Sequence, residues 1–203
     1  GGLCICRSEI VATDEASLRS ALASIGDGGC IIINTIITTT ETLSITYKNV
    51  VIKSTNGEGG IRKLPSNEQN IPAFNITLNS AGYYTVLRDL IIQGSRNIHL
   101  SRAVDITSSS DSGGISKIYI ERCTIENHET PPTPVSRPED LFGNAIKIYS
   151  DGNDTSTVAI VDSIIRNNDG RGISAYVTSS GPVSLIANVF ENNNASGNDT
   201  HNL

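Results

Sequence analysis

The chain contains no tryptophan and no methionine, and aromatic residues make up only 4% of its 203 positions. A core without large rings has to be assembled from many small aliphatic side chains, here chiefly Ile, Val, Leu and Ala, which suits stacked strands better than a compact mixed core. Long apolar runs are missing too: residues 30–33 and 90–92 fall far short of the roughly 18 to 20 residues that cross a bilayer, so no membrane span is expected. Basic charge is scarce: 15 Lys and Arg against 21 Asp and Glu give a net charge of −6, and the cations are scattered, so nucleic acid is not an expected partner. Histidine is limited to the widely separated His99, His128 and His201, and Cys4-x-Cys6 is too tight for a usual zinc knuckle. No metal and no cofactor is expected.

What is present bounds the rest. A length of 203 residues with 37% hydrophobic content suffices for one well-packed domain. A chain that starts Gly1-Gly2 and lacks methionine is expected to be either a leader-processed protein or a cut piece. Cys4, Cys6, Cys30 and Cys123 permit up to two disulfides, with the pairing open, and an even count favours an oxidising compartment. Asn-x-Ser/Thr sequons at Asn75, Asn153, Asn194 and Asn198 are glycosylation candidates, although several such tripeptides arise by chance in so Asn- and Thr-rich a chain. The expected location is extracellular or the cell surface.

Near the start, Thr13 or Asp14 can cap a helix whose Leu18, Ala21, Leu22 and Ile25 share one face, and Gly26 ends it. After the turn Gly26-Asp27-Gly28-Gly29 the pattern becomes short β-branched runs with polar punctuation. Three stretches then superpose without a gap: Ile118-Tyr-Ile120 with Ile125-Glu-Asn127, Val158-Ala-Ile160 with Ile165-Arg-Asn167, and Val183-Ser-Leu185 with Phe190-Glu-Asn192. A weaker copy runs from Tyr84 to Ile91. A second strand family alternates with these at residues 103–106, 145–148 and 172–175. The spacing predicts coils of about 25 residues, the signature of a β-solenoid, with a Pro-rich inserted loop at 128–143. Stacking then places Ile120, Ile160 and Leu185 in one interior column, and Asn127, Asn167 and Asn192 in a hydrogen-bonded corner ladder.

The segments Ser17-Leu-Arg-Ser-Ala21-Leu22, Gly26-Asp-Gly-Gly29, Ile31-Ile-Ile33 and Asn49-Val-Val-Ile-Lys53, with the later Ile-x-Asn copies, resemble the right-handed parallel β-helix (pectate-lyase-like) superfamily. The resemblance runs from Glu15 to Asn193 and implies an all-β solenoid whose N-terminal helix caps the first coil. Residues 13–203 then form a single β-helix domain behind a strand-like segment, 1–12, that lacks an evident partner. The motifs belong to the scaffold and specify no activity.

Four functions were weighed. A lyase of this superfamily implies calcium-binding carboxylates and an Arg or Lys base on one strand face; the available groups are Asp105, Glu121, Glu126, Lys147, Asp151, Arg166 and Arg171, with Asp105 and Lys147 at equivalent repeat positions. The superfamily's clustered acidic and Arg-x-Pro-x-x-Arg patterns are missing from the sequence, so no catalytic residue is assigned. Sugar binding would draw on Tyr47, Tyr83, Tyr84, Tyr119, Tyr149 and Tyr176, of which Tyr119, Tyr149 and Tyr176 interrupt inward aliphatics and are expected to face outward. Ice binding would need threonines repeated in every coil, whereas Thr38, Thr39, Thr40 and Thr42 lie in one. The structural reading predicts an extracellular subunit that stacks on copies of itself end to end into a fibre or layer, with Leu3, Ile5, Ile10 and Val11 as the exchanged strand. The alternatives are a polysaccharide-binding or polysaccharide-degrading β-helix, or a fragment of a larger adhesin.

Overall fold

The computed structural model describes residues 6–46, 48–64, 72–78, 82–94, 102–109, 116–128, 145–151, 157–168, 172–177 and 183–193. The chain opens with strand β1 (Glu9–Ala12) and helix α1 (Glu15–Ser24). It then winds through repeated triplets of strands: β2 (Gly29–Ile33), β3 (Ile36–Thr39) and β4 (Leu43–Thr46); β5 (Val50–Lys53), β6 (Gly60–Lys63) and β7 (Pro72–Leu78); β8 (Tyr84–Arg88), β9 (Ile91–Gln93) and β10 (Arg102–Ser109). The series continues with β11 (Lys117–Glu121), β12 (Thr124–Glu126) and β13 (Ile146–Asp151); β14 (Thr157–Val161), β15 (Ile164–Arg166) and β16 (Ile173–Val177); and β17 (Val183–Ile186) with β18 (Val189–Glu191). The first strand of each triplet joins seven-stranded sheet A, the second six-stranded sheet B and the third five-stranded sheet C. Pairing is parallel throughout, for example Ile120 opposite both Leu87 and Ile160. The architecture is a parallel β-helix with one N-terminal helix.

In-register stacking turns the sequence repeat into interior columns. Ile31, Ile52, Leu87, Ile120 and Ile160 follow one another through sheet A and are all fully buried. Each such side chain removed from water contributes about 1.5–3 kcal/mol, which is how a core of aliphatics without tryptophan holds together. The first coil is closed by α1, which buries Leu18, Ala21 and Leu22 against the interior. Its start is a capping box: the Ser17 backbone N–H donates to Asp14 Oδ1 at 2.7 Å, and the Asp14 N–H donates to Ser17 Oγ at 3.0 Å. That backbone hydrogen bond from Ser17 holds the Asp14 carboxyl below its usual range.

The strand-like N-terminal segment has a partner inside the chain, which corrects the sequence expectation. β1 extends sheet A by one strand, with Glu9 opposite Cys30 and Ala12 opposite Ile33, so one edge of its backbone is paired by β2. Ile10 packs against the core and Val11 is exposed. Leu3 and Ile5 lie outside the described residues.

Coil length varies more than the predicted 25 residues. Equivalent positions lie 21 residues apart at Asn34 and Thr55, 33 at Arg88 and Glu121, 40 at Glu126 and Arg166, and 25 at Ser163 and Asn188. The corner from sheet A to sheet B stays at two residues in all but the second coil. In the last four coils the first of these two, Asp89, Arg122, Asp162 or Ala187, has a positive φ of 48–55°. The second points inward: Leu90, Cys123 and Ser163 are each 1% exposed.

The asparagine ladder is displaced by one residue from its predicted place. Asn127, Asn167 and Asn192 take left-handed backbone conformations, φ 63°, 55° and 51°, which asparagine tolerates better than most residues. The side-chain ladder is made by the next residues, His128, Asn168 and Asn193. Asn168 Nδ2 donates to Ile125 O at 3.3 Å and to Asn193 Oδ1 at 2.9 Å, which fixes its Oδ1 as the acceptor for the His128 backbone N–H at 3.1 Å. The same oxygen lies 2.8 Å from His128 Nδ1, so Nδ1 carries the proton. A second ladder runs along the A-to-B corner, where the Cys123 N–H donates to Ser163 Oγ at 3.2 Å and the Ser163 N–H to Asn188 Oδ1 at 3.0 Å.

His128 is buried, and burial pushes its pKa down to about 4, against the pull of its Asn168 hydrogen bond and of the Glu126 charge. A base depressed in the folded state leaves stability intact above the unfolded pKa near 6.5 and removes it as pH falls toward 4, because the unfolded chain takes up the proton first. Urea unfolding should therefore show a loss of about 3 kcal/mol between pH 7 and pH 4 that is flattened in His128→Gln; equal pH slopes for the two proteins would refute the assignment.

Candidate functional site

Alternation along the sheet C strands sends one set of side chains inward and the other into solvent. Leu43, Phe74, Val104 and Ile146 form a buried column, as do Ile45, Ile76, Ile106 and Ile148. The intervening positions build an outer face of two columns. One reads Ser44, Asn75, Asp105, Lys147, Ser174 and the other Thr46, Thr77, Thr107, Tyr149, Tyr176. The predicted equivalence of Asp105 and Lys147 thus becomes direct adjacency on neighbouring strands.

Asp105 is a structural carboxylate. Arg102, three residues earlier on β10 and only 6% exposed, grips it in bidentate fashion, Nε to Oδ1 at 2.8 Å and Nη2 to Oδ2 at 2.5 Å. A fork of this kind occupies both carboxylate oxygens and compensates a buried guanidinium. Lys147 is half-buried and, among the described residues, makes no hydrogen bond or ion pair. Two residues along the same strand, Tyr149 stacks on Tyr176, with ring centroids 5.3 Å apart and planes 14° from parallel. Their exposures of 38% and 59% make them the principal aromatic surface of this face. The stack uses the facing ring surfaces on each other and leaves the Tyr176 ring the more open of the two. The face therefore combines an ammonium without a partner among the described residues, an aromatic pair and a run of small hydroxyl and amide groups, which suits a polar polymer lying across the strands.

The other charged candidates are distributed elsewhere. Glu121 lies on the outer face of sheet A, where it accepts from Arg88 Nε at 2.8 Å. Glu126 and Arg166 pair on sheet B at 2.9 Å, with Gln93 Nε2 donating to the other Glu126 oxygen at 3.0 Å. Burial alone would raise the Glu126 carboxyl, but the bonds from Gln93 and Arg166 outweigh it and hold it below its usual range. Arg171 and the Asp151 side chain lie outside the described residues. Three sheets separate these groups, and they do not converge. Among the described residues, no group of three or more His, Cys, Asp or Glu side chains comes together as a metal site.

Of the tyrosines expected to share a surface, Tyr149 and Tyr176 do, whereas Tyr119 belongs to sheet A. There it packs with Tyr84 against an outward apolar cluster of Cys30, Val51 and Val86. Tyr83 packs against the main core, and Tyr47 lies outside the described residues. Cys6 and Cys30 form a disulfide across 24 residues. Cys123, a disulfide candidate in the sequence, is instead a free thiol inside the A-to-B corner, where burial pushes its pKa up to about 12. Cys4 lies outside the described residues. Of the four sequons, Asn75 is placed, half-buried on the outer face of sheet C, and Asn153, Asn194 and Asn198 lie outside the described residues.

The Arg102 clamp was not read from the sequence, although Arg-x-x-Asp at the start of a strand is a spacing that permits it. The tyrosine stack had a usable signal: Tyr149 and Tyr176 follow inward residues at the same repeat offset, Ile148 and Ala175. No helix among the described residues is long and apolar enough to cross a membrane. No protein-family model, no curated protein and no solved structure matches the chain.

Because Arg102 is buried, removing Asp105 takes away two charge-assisted hydrogen bonds from a guanidinium with little access to water. Asp105→Ala should lower stability by about 3 kcal/mol in urea unfolding; a loss below about 1 kcal/mol would show that the clamp does not carry the face.

Proposed function

We propose that this chain is an extracellular or cell-surface β-helix, related by its scaffold motifs to the pectate-lyase-like superfamily, that binds a polysaccharide along the outer face of sheet C. The observation that carries the reading is the set Lys147, Tyr149 and Tyr176, a cation with no partner among the described residues and the stacked rings of one solvent-facing surface. The Cys6–Cys30 disulfide supports an oxidising compartment. Strands about 4.8 Å apart give each coil one set of contacts, a spacing close to the advance of a pyranose chain. Binding without cleavage is favoured because Asp105 is held by Arg102, and Glu121, Glu126 and Arg166 are paired on other sheets.

Affinity electrophoresis through gels containing polygalacturonate, alginate or a neutral glucan tests the reading. At least one polymer should retard the protein, and the double variant Lys147→Ala, Tyr176→Ala should weaken that retardation about tenfold or more, equivalent to about 1.4 kcal/mol. Retardation by none of a broad polysaccharide panel, or undiminished retardation of the variant, would overturn it. New ultraviolet absorbance from unsaturated uronides in the presence of calcium would replace binding with the lyase alternative.

A second reading, self-assembly through the end of the helix, rests on Leu185. This residue continues the column of Ile120 and Ile160, which are fully buried, yet is 42% exposed. Among the described residues no strand follows β17 and β18 in sheets A and B, and a strand edge beside an exposed core column is a template for further β-structure. If this end mediates stacking, the protein should form filaments or layers in electron micrographs, and Leu185→Asp should disperse them; unassembled native protein would rule this reading out.

A further inference from the structure

The outer face of sheet B is organised differently from that of sheet C. On β9, β12, β15 and β18 the first outward position is Ile91, Thr124, Ile164 and Val189, a stripe of β-branched side chains that is half-buried to exposed. Beside it, two residues further along each strand, runs the polar column Gln93, Glu126, Arg166, Glu191. On the other side lies the corner carrying Arg122 and Asp162.

We propose that this face is a self-complementary interface between two copies of the chain. A two-fold axis parallel to the strands and midway between β12 and β15 lays stripe on stripe and column on column with the order of strands reversed. Thr124 then meets the second copy's Ile164, and Ile91 its Val189. Glu126 meets Arg166, Gln93 meets Glu191, and Arg122 meets Asp162, each contact occurring twice. The register is selected by charge. Centring the axis on β12 would set Glu126 against Glu126 and Arg122 against Arg122, and centring it on β15 would set Arg166 against Arg166. An axis along the helix direction would press the apolar stripe onto the charged column. Of the three axes parallel to the strands only the first has no like-charge contact, and as an isologous contact it closes at two copies. Four strands of three residues give a footprint well below the roughly 800 Å² per partner of a standard interface, so the dimer is concentration-dependent.

The test uses thiols placed where the two-fold predicts proximity. Gln93 and Glu191 are three strand spacings apart within one chain, about 14 Å, but face each other across the interface. With a bis-maleimide crosslinker shorter than that separation, the variant Gln93→Cys, Glu191→Cys should yield covalent dimer, and either single variant and the unmodified chain should not. Adding Ile164→Lys should remove the dimer while circular dichroism shows the fold retained. Equal crosslinking by single and double variants, or none by the double, overturns the arrangement. So does sedimentation velocity of the unmodified chain that shows monomer alone at every concentration reached.

Discussion

The two-residue corner between sheets A and B is the constraint on which the other features depend. Because side chains alternate along a strand, a corner longer or shorter by one residue would turn every residue of the following strand inside out. Holding the corner at two residues in four successive coils ties the faces of sheets A and B to one register. The geometry has a cost, since its first residue is left-handed. Asp89 and Asp162 tolerate this, whereas Arg122 and Ala187 carry the full steric penalty, on the order of 1–2 kcal/mol. At Arg122 a bidentate pair with Asp89, 2.8 and 3.0 Å, offsets part of it and also raises the guanidinium pKa. In the last three coils the second corner residue, Cys123, Ser163 or Asn188, belongs to the ladder that ties one coil to the next. Length variation is thereby displaced to the connections into and out of sheet C, such as the stretch between β12 and β13.

What was legible in the sequence follows from that constraint. Ile120, Ile160 and Leu185 could be aligned without structure because packing repeats the same demand in every coil, and α1 could be bounded because Asp14 and Ser17 form a local capping box. The ladder was placed one residue early because left-handed backbone and side-chain stacking both favour asparagine, and composition alone does not separate them. Pairs such as Asn167-Asn168 and Asn192-Asn193 contain one residue of each kind. In the first of these corners His128 takes the ladder position, and no repeat rule would select histidine there.

The misses at the candidate site have a different origin. Outward positions are not fixed by packing, so their chemistry varies from coil to coil and carries no period to read. Asp105 resembled a free carboxylate until its neighbour Arg102 was seen to occupy both oxygens. Glu121, Glu126 and Arg166 were available groups whose spacing in sequence gave no common face, and the coil distributes them over two sheets. The partner of β1 was hidden for the opposite reason. Its alternation is too short to distinguish a strand of sheet A from one offered to a neighbour, and only the in-register match with β2 decides.

The three outer faces now differ in how they dispose of their polar groups. Sheet A buries an apolar cluster under Tyr84 and Tyr119 beside the Cys6–Cys30 disulfide, so that face is already partly covered by its own side chains. Sheet B neutralises charge along its column, Gln93 and Arg166 both bonding to Glu126, which leaves little net attraction for an ionic ligand. Sheet C pairs Asp105 internally but leaves the next cation in the column, Lys147, without a partner among the described residues, beside exposed rings. Lys147 is half-buried as a residue, its methylene stem lying along the sheet as lysine stems commonly do, and its ammonium has no partner among the described residues. An anionic or hydroxyl-rich ligand would supply acceptors for it. That asymmetry, and not the number of charged residues, singles out sheet C as the face for a polar ligand and leaves sheet B better suited to a partner that matches its own alternation.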